Sequence, residues 1–322
     1  FSLVLSAQNT QSIDLNQSIK DKKGLTKSVT FIDHRPDQEI GNIISKKESV
    51  AIKFATSDLK SEVEKWFTED NKNSKGNNDI VVLLEELKIF ETQPSGNPAL
   101  KTKISSFLKR NDKYYFVNRF ENVDAFTLKS TPSAVSDKIA LNIATLIRDS
   151  YTKLPIGSAI PEGEIFNYDS VLMKSLKLFN TNPLTEGVYE NYKSFRELNP
   201  KIEYHTVKNK KNEIVRIANN QDLRVADMDL FGFVDDGIPY KITPIGYLEI
   251  FKDEKGLYII SNRGELMPQN SSGATVGIMM GGGIAGVAIG MIIDSQTRKN
   301  RNDLGFYNVY IDSFTGDYVY EK

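Results

Sequence analysis

Chemistry at neutral pH most often begins with histidine, whose unperturbed pKa lies nearest neutrality, and this chain has two. His34 lies between Asp33 and Arg35. A carboxylate beside an imidazole can orient it as a general base, but a turn held by local polar contacts is the simpler reading. His205 opens an expected strand and reads as a surface residue. A metal shared by the two would require the two halves of the chain to converge. Asp227, Asp229, Asp235 and Asp236 form an acidic cluster of the donor type that calcium favours. The EF-hand spacing is absent, and Asp235-Asp236-Gly237 already serves as a turn. Glu85-Glu86 falls on a strand, where neighbours point to opposite faces, so these carboxylates are not expected to converge. No Walker A, GxSxG, HExxH or CxxC pattern is present. With no cysteine, the sequence offers no disulfide, thiolate ligand, cysteine nucleophile or lipidated cysteine. No catalytic residue, cofactor or metal is assigned, and the expectation is a non-enzymatic protein.

The stretch that poses the sharpest physical problem is Ser271–Ile293, SSGATVGIMMGGGIAGVAIGMII, which carries no charge. As a helix it would span about 34 Å, enough for a bilayer core of about 30 Å. Its glycines fall in two four-residue series, Gly273, Gly277, Gly281 and Gly282, Gly286, Gly290. This glycine-zipper spacing lets a second backbone approach closely. It is not a nucleotide loop, because the lysine and the Ser/Thr are missing and Met279-Met280 would fill the cradle. Glycine costs about 1 kcal/mol relative to alanine inside an exposed helix, so the seven glycines oppose an isolated helix by about 7 kcal/mol. Lipid, a partner or close packing must offset that cost. Arg298, Lys299 and Arg301 follow at once. They suit anionic headgroups, at about 1 kcal/mol each, or a solvated loop.

The elements around these residues are soluble in character. The 322 residues suggest two domains, and 39% hydrophobic residues suffice for real cores. Lysine and arginine number 41 against 42 acidic residues, a balance that argues against nucleic acid as a partner. Residues 1–7, FSLVLSA, read as the remnant of a signal peptide, which makes the protein exported, and residues 8–27 read as a polar tether. From 28 to 154 the pattern is strand (Ser28–Asp33), helix (from Ser57 to about Glu69), long strand (Asp79–Thr92), hairpin about Asn111-Asp112, and a helix opened by Ser130, Thr131 and Pro132. The second helix carries an apolar face of Val135, Ile139, Leu141, Ile143, Leu146 and Ile147. In the hairpin's second arm, Tyr115 and Val117 are expected on one side and Tyr114, Phe116 and Asn118 on the other. Helices on one face of a mainly antiparallel sheet make an α+β sandwich.

Asp33-x-Arg35-Pro36, the following Ile40-Gly41 and this order of elements resemble the YajG-like lipoproteins of bacterial envelopes. The resemblance covers about Ser28–Leu154 and implies an envelope location and an α/β sandwich. It supplies no catalytic residues, and the lipidated cysteine is missing here. Residues 155–200 read as a helical connector whose segment GVYENYKSFRELNP resembles uncharacterised exported bacterial proteins. Residues 201–322 read as a β domain of four hairpins, turning at Lys208–Asn212, Asp235–Gly237, Asp253–Gly256 and Ser313–Gly316. A Gly-rich insertion, 268–302, separates the third hairpin from the fourth. One bilayer crossing there would strand the last hairpin on the far side, and a lone hairpin is marginal in water. The segment is therefore expected to leave and return. The expected function is an exported cell-envelope protein, periplasmic or membrane-associated, in which this segment contacts the envelope membrane or a sister subunit. The alternative is a periplasmic module that binds a small ligand or peptide between its domains.

Overall fold

The computed structural model describes residues 9–92, 96–267 and 305–320. The expected signal remnant, 1–7, lies outside the described residues. The protein is α+β, with several mostly antiparallel sheets. It divides into two compact units, one running to Leu172 and one from Met173 to Tyr320.

The first unit contains β1 (Asn9–Ile13), β2 (Thr26–Asp33), β3 (Asn42–Ser45), β4 (Glu48–Phe54), α1 (Leu59–Asp70), β5 (Asn78–Thr92), β6 (Asn97–Arg110), β7 (Lys113–Ala125), α2 (Pro132–Ser150) and β8 (Ile160–Pro161). Its main sheet has the order β2-β5-β6-β7-β8, with β2 parallel to β5 and the other pairs antiparallel. Asp58 rather than Ser57 caps α1, accepting from the Ser61 amide at 3.1 Å. Thr131 caps α2 by accepting from the Ala134 amide, and Pro132 opens its first turn. Leu59, Val63, Trp66 and Phe67 of α1 join Val135, Ile139, Ile143, Leu146 and Ile147 of α2 in one core. Leu141 is 40% exposed instead. Six residues beyond Val135 lies about 240° around a helix, off the buried stripe.

Residues 9–27 are not a tether. β1 pairs in parallel with β4, and Ile13 and Ile19 are fully buried. The Asp21 carboxylate accepts from the amides of Lys23, Gly24, Leu25 and Thr26. Trp66 donates to the Gln17 carbonyl and Tyr151 to that of Ile19. Ile13, Leu15, Ile19 and Leu25 form neither a helical nor a sustained strand period, so only these distant partners reveal the segment's place.

The first unit also runs past Pro155. β8 pairs with β7, and a 3-10 turn (Glu162–Asn167) leads into α3 (Tyr168–Ser175). The units therefore divide inside the stretch expected as a connector.

The second unit contains α4 (Lys177–Asn180), β9 (Gly187–Tyr189), α5 (Tyr192–Arg196), β10 (Tyr204–Lys208), β11 (Ile214–Asn219), β12 (Gly232–Asp235), β13 (Ile238–Thr243), β14 (Gly246–Glu249), β15 (Phe251–Lys252), β16 (Leu257–Ser261), α6 (Arg263–Leu266), β17 (Tyr307–Ile311) and β18 (Tyr318–Val319). They form sheets ordered β14-β13-β12-β9 and β15-β16-β17-β18 and the hairpin β10-β11. Asp236 and Gly237 turn β12 into β13 at φ 51° and 77°, the left-handed pair that a tight hairpin demands. One face of the first sheet packs Phe233, Tyr240, Ile242 and Tyr247 with Ile214 and Ile217 of the hairpin. Its other face supplies Val234 and Leu248 to a core shared with Ile259, Val309, Ile311 and Tyr320.

Candidate functional sites

Two β-bulges build the most charged site of the first unit. On β5, Leu84 faces Ile104 and Glu86 faces Lys103, leaving Glu85 as the extra residue. A bulge re-aims the side chains around it. Glu85 and Glu86 consequently meet lysines two apart on the same face of β6: Glu85–Lys103 at 3.3 Å and Glu86–Lys101 at 2.9 Å. This corrects the expectation that the two carboxylates point apart. On β7 the extra residue is Val117, since Phe107 faces Phe116 and Ser106 faces Asn118. Alternation restarts there, so Asn118 leaves the face of Tyr114 and Phe116, and Arg119 takes that side.

Tyr168 lies over this face, stacked on Phe116 at 5.7 Å and edge-on to Phe107 at 4.9 Å. Its hydroxyl donates to Glu85 Oε2 at 2.9 Å, accepts from Arg119 Nη2 at 3.0 Å and lies 2.6 Å from Ser105 Oγ. Ser105 is fully buried and also bonds Glu85 at 2.7 Å. Arg119 bonds Asp169, which accepts from Lys103 at 3.3 Å as well. Burial pushes the Tyr168 phenol well above its ordinary range. Burial and Arg119 pull the Lys103 ammonium down, but Asp169, Glu85 and Glu121 outweigh them and leave it raised. A serine with no exposed surface and a phenol that keeps its proton provide no nucleophile. The cluster clasps residues 162–169 onto the sheet.

The histidines and aspartates singled out by residue type are dispersed. Asp33 grips Arg35 through both oxygens, at 2.9 and 2.7 Å, which is the locally held turn the sequence predicts. His34 is exposed and stacks on Phe166 at 3.9 Å. His205 is exposed beside Asp222. Asp235 and Asp236 both pair with Lys208, at 2.6 and 3.1 Å. Asp227 is buried and accepts from Tyr247 at 2.7 Å. No group of three or more metal-ligating side chains occurs among the described residues.

Sequence reasoning missed Lys241. On β13 it stands between Tyr240 and Ile242, and strand alternation turns it to the opposite face, the one that carries Val234 and Leu248. Its strand partners are Gly232 and Leu248. A Cβ on Gly232 would lie 2.1 Å from the Tyr240 carbonyl oxygen, so only glycine permits this approach of the strands. The ammonium donates to the carbonyls of Phe231 at 3.1 Å and Ile242 at 2.8 Å. It lies 4.6 Å from the centre of the Phe231 ring and 6.0 Å from that of Tyr318. Burial alone lowers its pKa to about 8. No sequence signal marks it, because its setting depends on strand register.

The root of the Gly-rich insertion is well defined on both sides. Ser261, at the end of β16, pairs with Tyr307, at the start of β17. Asn262 caps α6, accepting from the Glu265 amide at 3.0 Å, and Ser261 donates to Glu265 Oε2 at 2.8 Å. Arg263 stands 4.2 Å over the Tyr320 ring. The described chain stops at Met267 and resumes at Gly305. The expected contact residues Gly273, Gly277, Gly281, Gly282, Gly286, Gly290, Arg298, Lys299 and Arg301 lie outside the described residues. Among the described residues, no helix is long and apolar enough to cross a membrane.

No family model matches the sequence, and no curated protein matches it. Among solved structures, the chain is similar to the crystal structure of protein XCC0632 from Xanthomonas campestris, described under the family DUF330. The sequences are 9% identical, the match covers 44% of this chain and 91% of that one, and the TM-score is 0.30. A likeness at that level carries nothing about activity.

Proposed function

We propose that this chain is a non-enzymatic exported protein of the bacterial cell envelope, and that its Gly-rich segment contacts the envelope membrane or a sister subunit. One observation carries the reading: the strands on either side of the segment, β16 and β17, are hydrogen-bonded neighbours. The described strands therefore pair with each other, and the sequence between them carries the uncharged run Ser271–Ile293. An apolar run of that length is usually covered in soluble proteins. The resemblance of Asp33-x-Arg35-Pro36 and Ile40-Gly41 to YajG-like envelope proteins supports the location.

Flotation on anionic lipid vesicles, with light scattering for mass, tests both forms of contact on the full chain and on a chain lacking residues 268–302. The full chain is expected to float or to oligomerise, and the shortened chain to do neither. Equal recovery of both as unbound monomers overturns the proposal.

A further inference from the structure

We propose that residues 20–27 and 71–77 of the first unit form one surface that docks on an anionic lipid bilayer. Two loops distant in sequence meet there, backbone to backbone. The Asp21 amide donates to Asn71 Oδ1 at 2.7 Å, and Asn71 Nδ2 donates to the Ile19 carbonyl at 3.2 Å. The amides of Asn77 and Asn78 both donate to the Leu25 carbonyl at 3.1 Å. A Cβ on Gly76 would lie 2.0 Å from the Leu25 carbonyl carbon, so only glycine permits this approach. The Asp21 carboxylate holds the curl of the first loop through the amides of Lys23, Gly24, Leu25 and Thr26.

This junction gathers cations. Lys20, Lys22 and Lys23 on the first loop and Lys72 and Lys75 on the second are all exposed. Lys20 and Lys22 flank Asp21, and Lys72 follows its partner Asn71. Lys75 precedes Gly76, which abuts Leu25. Among the described residues, none of these lysines has an ion-pair partner. The neighbouring carboxylates are engaged elsewhere. Asp21 is buried under its own loop, Asp70 accepts from the Ile19 amide at 2.6 Å, and Asp79 accepts from Ser28 at 2.6 Å and pairs with Lys27 at 3.9 Å. The whole chain is balanced, with 41 basic and 42 acidic residues, so the excess of positive charge is local.

Residue chemistry selects the occupant. Leu25 is 42% exposed among these lysines. An apolar side chain ringed by cations suits the boundary between headgroups and acyl chains, where its burial adds to their attraction. Lysine is a point charge on a flexible stem, fitted to a fluid headgroup layer with no fixed phosphate geometry. Nucleic acid is read through arginine forks and aromatic stacking platforms, and neither loop contains an arginine or an aromatic residue. The inference stands on this surface alone and not on the Gly-rich segment, which falls in the sequence of the second unit.

The test is co-sedimentation of the full chain with two kinds of vesicle, phosphatidylcholine alone and an equal mixture of phosphatidylcholine and phosphatidylglycerol. The parent is expected to prefer the mixed vesicles, and added salt to weaken that preference. Each lysine near an anionic surface is worth about fivefold, so Lys20→Gln, Lys22→Gln and Lys23→Gln together should weaken binding to the mixed vesicles about a hundredfold. Leu25→Ser should weaken it about fivefold. Lys210→Gln with Lys211→Gln, on an exposed turn of the second unit, should change it little. Equal affinity of the parent for both vesicles overturns the proposal without any variant. Equal binding of the parent and the triple variant overturns it too, as does an equal loss in the Lys210 and Lys211 variant. Release of the chain by inorganic phosphate at constant ionic strength, or tighter lysine-dependent binding to a DNA oligonucleotide, likewise overturns it. A contact made by the Gly-rich segment alone would persist on phosphatidylcholine and in the triple variant, so this reading and the proposed function fail separately.

Discussion

Lys103 and Lys241 sit on central strands of different units, and burial acts on the ammonium of each, yet their chemistry diverges. Lys103 bonds Glu85 and Asp169 within a network that also holds Arg119, Tyr168 and Ser105. Lys241 meets only carbonyl oxygens and aromatic rings among its described neighbours. The first is a charge compensated by charges, and the second is a charge compensated by dipoles and ring faces. Carbonyl dipoles and rings stabilise an ammonium less than a carboxylate does, so burial decides the proton's fate at Lys241 and carboxylates decide it at Lys103. Compensation by charge makes a clasp, whereas compensation by dipoles leaves the cost of burying the ammonium only partly offset.

The comparison breaks most visibly at Arg119. Arg119→Met removes a nearly buried cation from a cluster of carboxylates and should destabilise the first unit by about 3 kcal/mol, read by urea denaturation. A loss below about 1 kcal/mol would mean that the network is not the clasp described here. Tyr168→Phe keeps the ring against Phe107 and Phe116 but deletes a hydroxyl with three partners. A smaller loss of about 1.5 kcal/mol is expected. Lys241→Met should fall within about 1 kcal/mol of the parent near neutral pH, because no carboxylate is left behind unpaired.

The pH dependence sharpens the same contrast. The folded pKa of Lys241, about 8, lies below its unfolded value of about 10.4. Between those values the unfolded chain binds more protons, so stability rises with pH. The cost of burying the charge is fully present below about pH 8 and is relieved as the pH climbs toward about 10. Stability measured across that window should rise in the parent relative to Lys241→Met. A flat difference would place the Lys241 ammonium in water.

Local sequence was a good guide where structure depends on neighbours along the chain. Thr131-Pro132, the stripe from Val135 to Ile147, and the turns at Asn111-Asp112 and Asp236-Gly237 are legible because caps, helical period and left-handed turn residues act within a few positions. Leu141 shows the limit of that guide: its residue type suited a core, but its angle around the helix did not. Residues 9–27 show another, since Ile13 and Ile19 are buried by β4, α1 and α2, which follow them in the chain.

Composition and order alone determined the α+β class, the absence of thiol chemistry, the two-part organisation and the unusual neutrality of Ser271–Ile293, because these are sums or short-range patterns. Tertiary structure alone decided that Glu85 and Glu86 share a face, that Arg119 reaches Tyr168, and that Lys241 lies opposite Gly232. Each of those facts turns on register, and one extra residue in a strand reverses every side chain beyond it at almost no cost to the local sequence pattern.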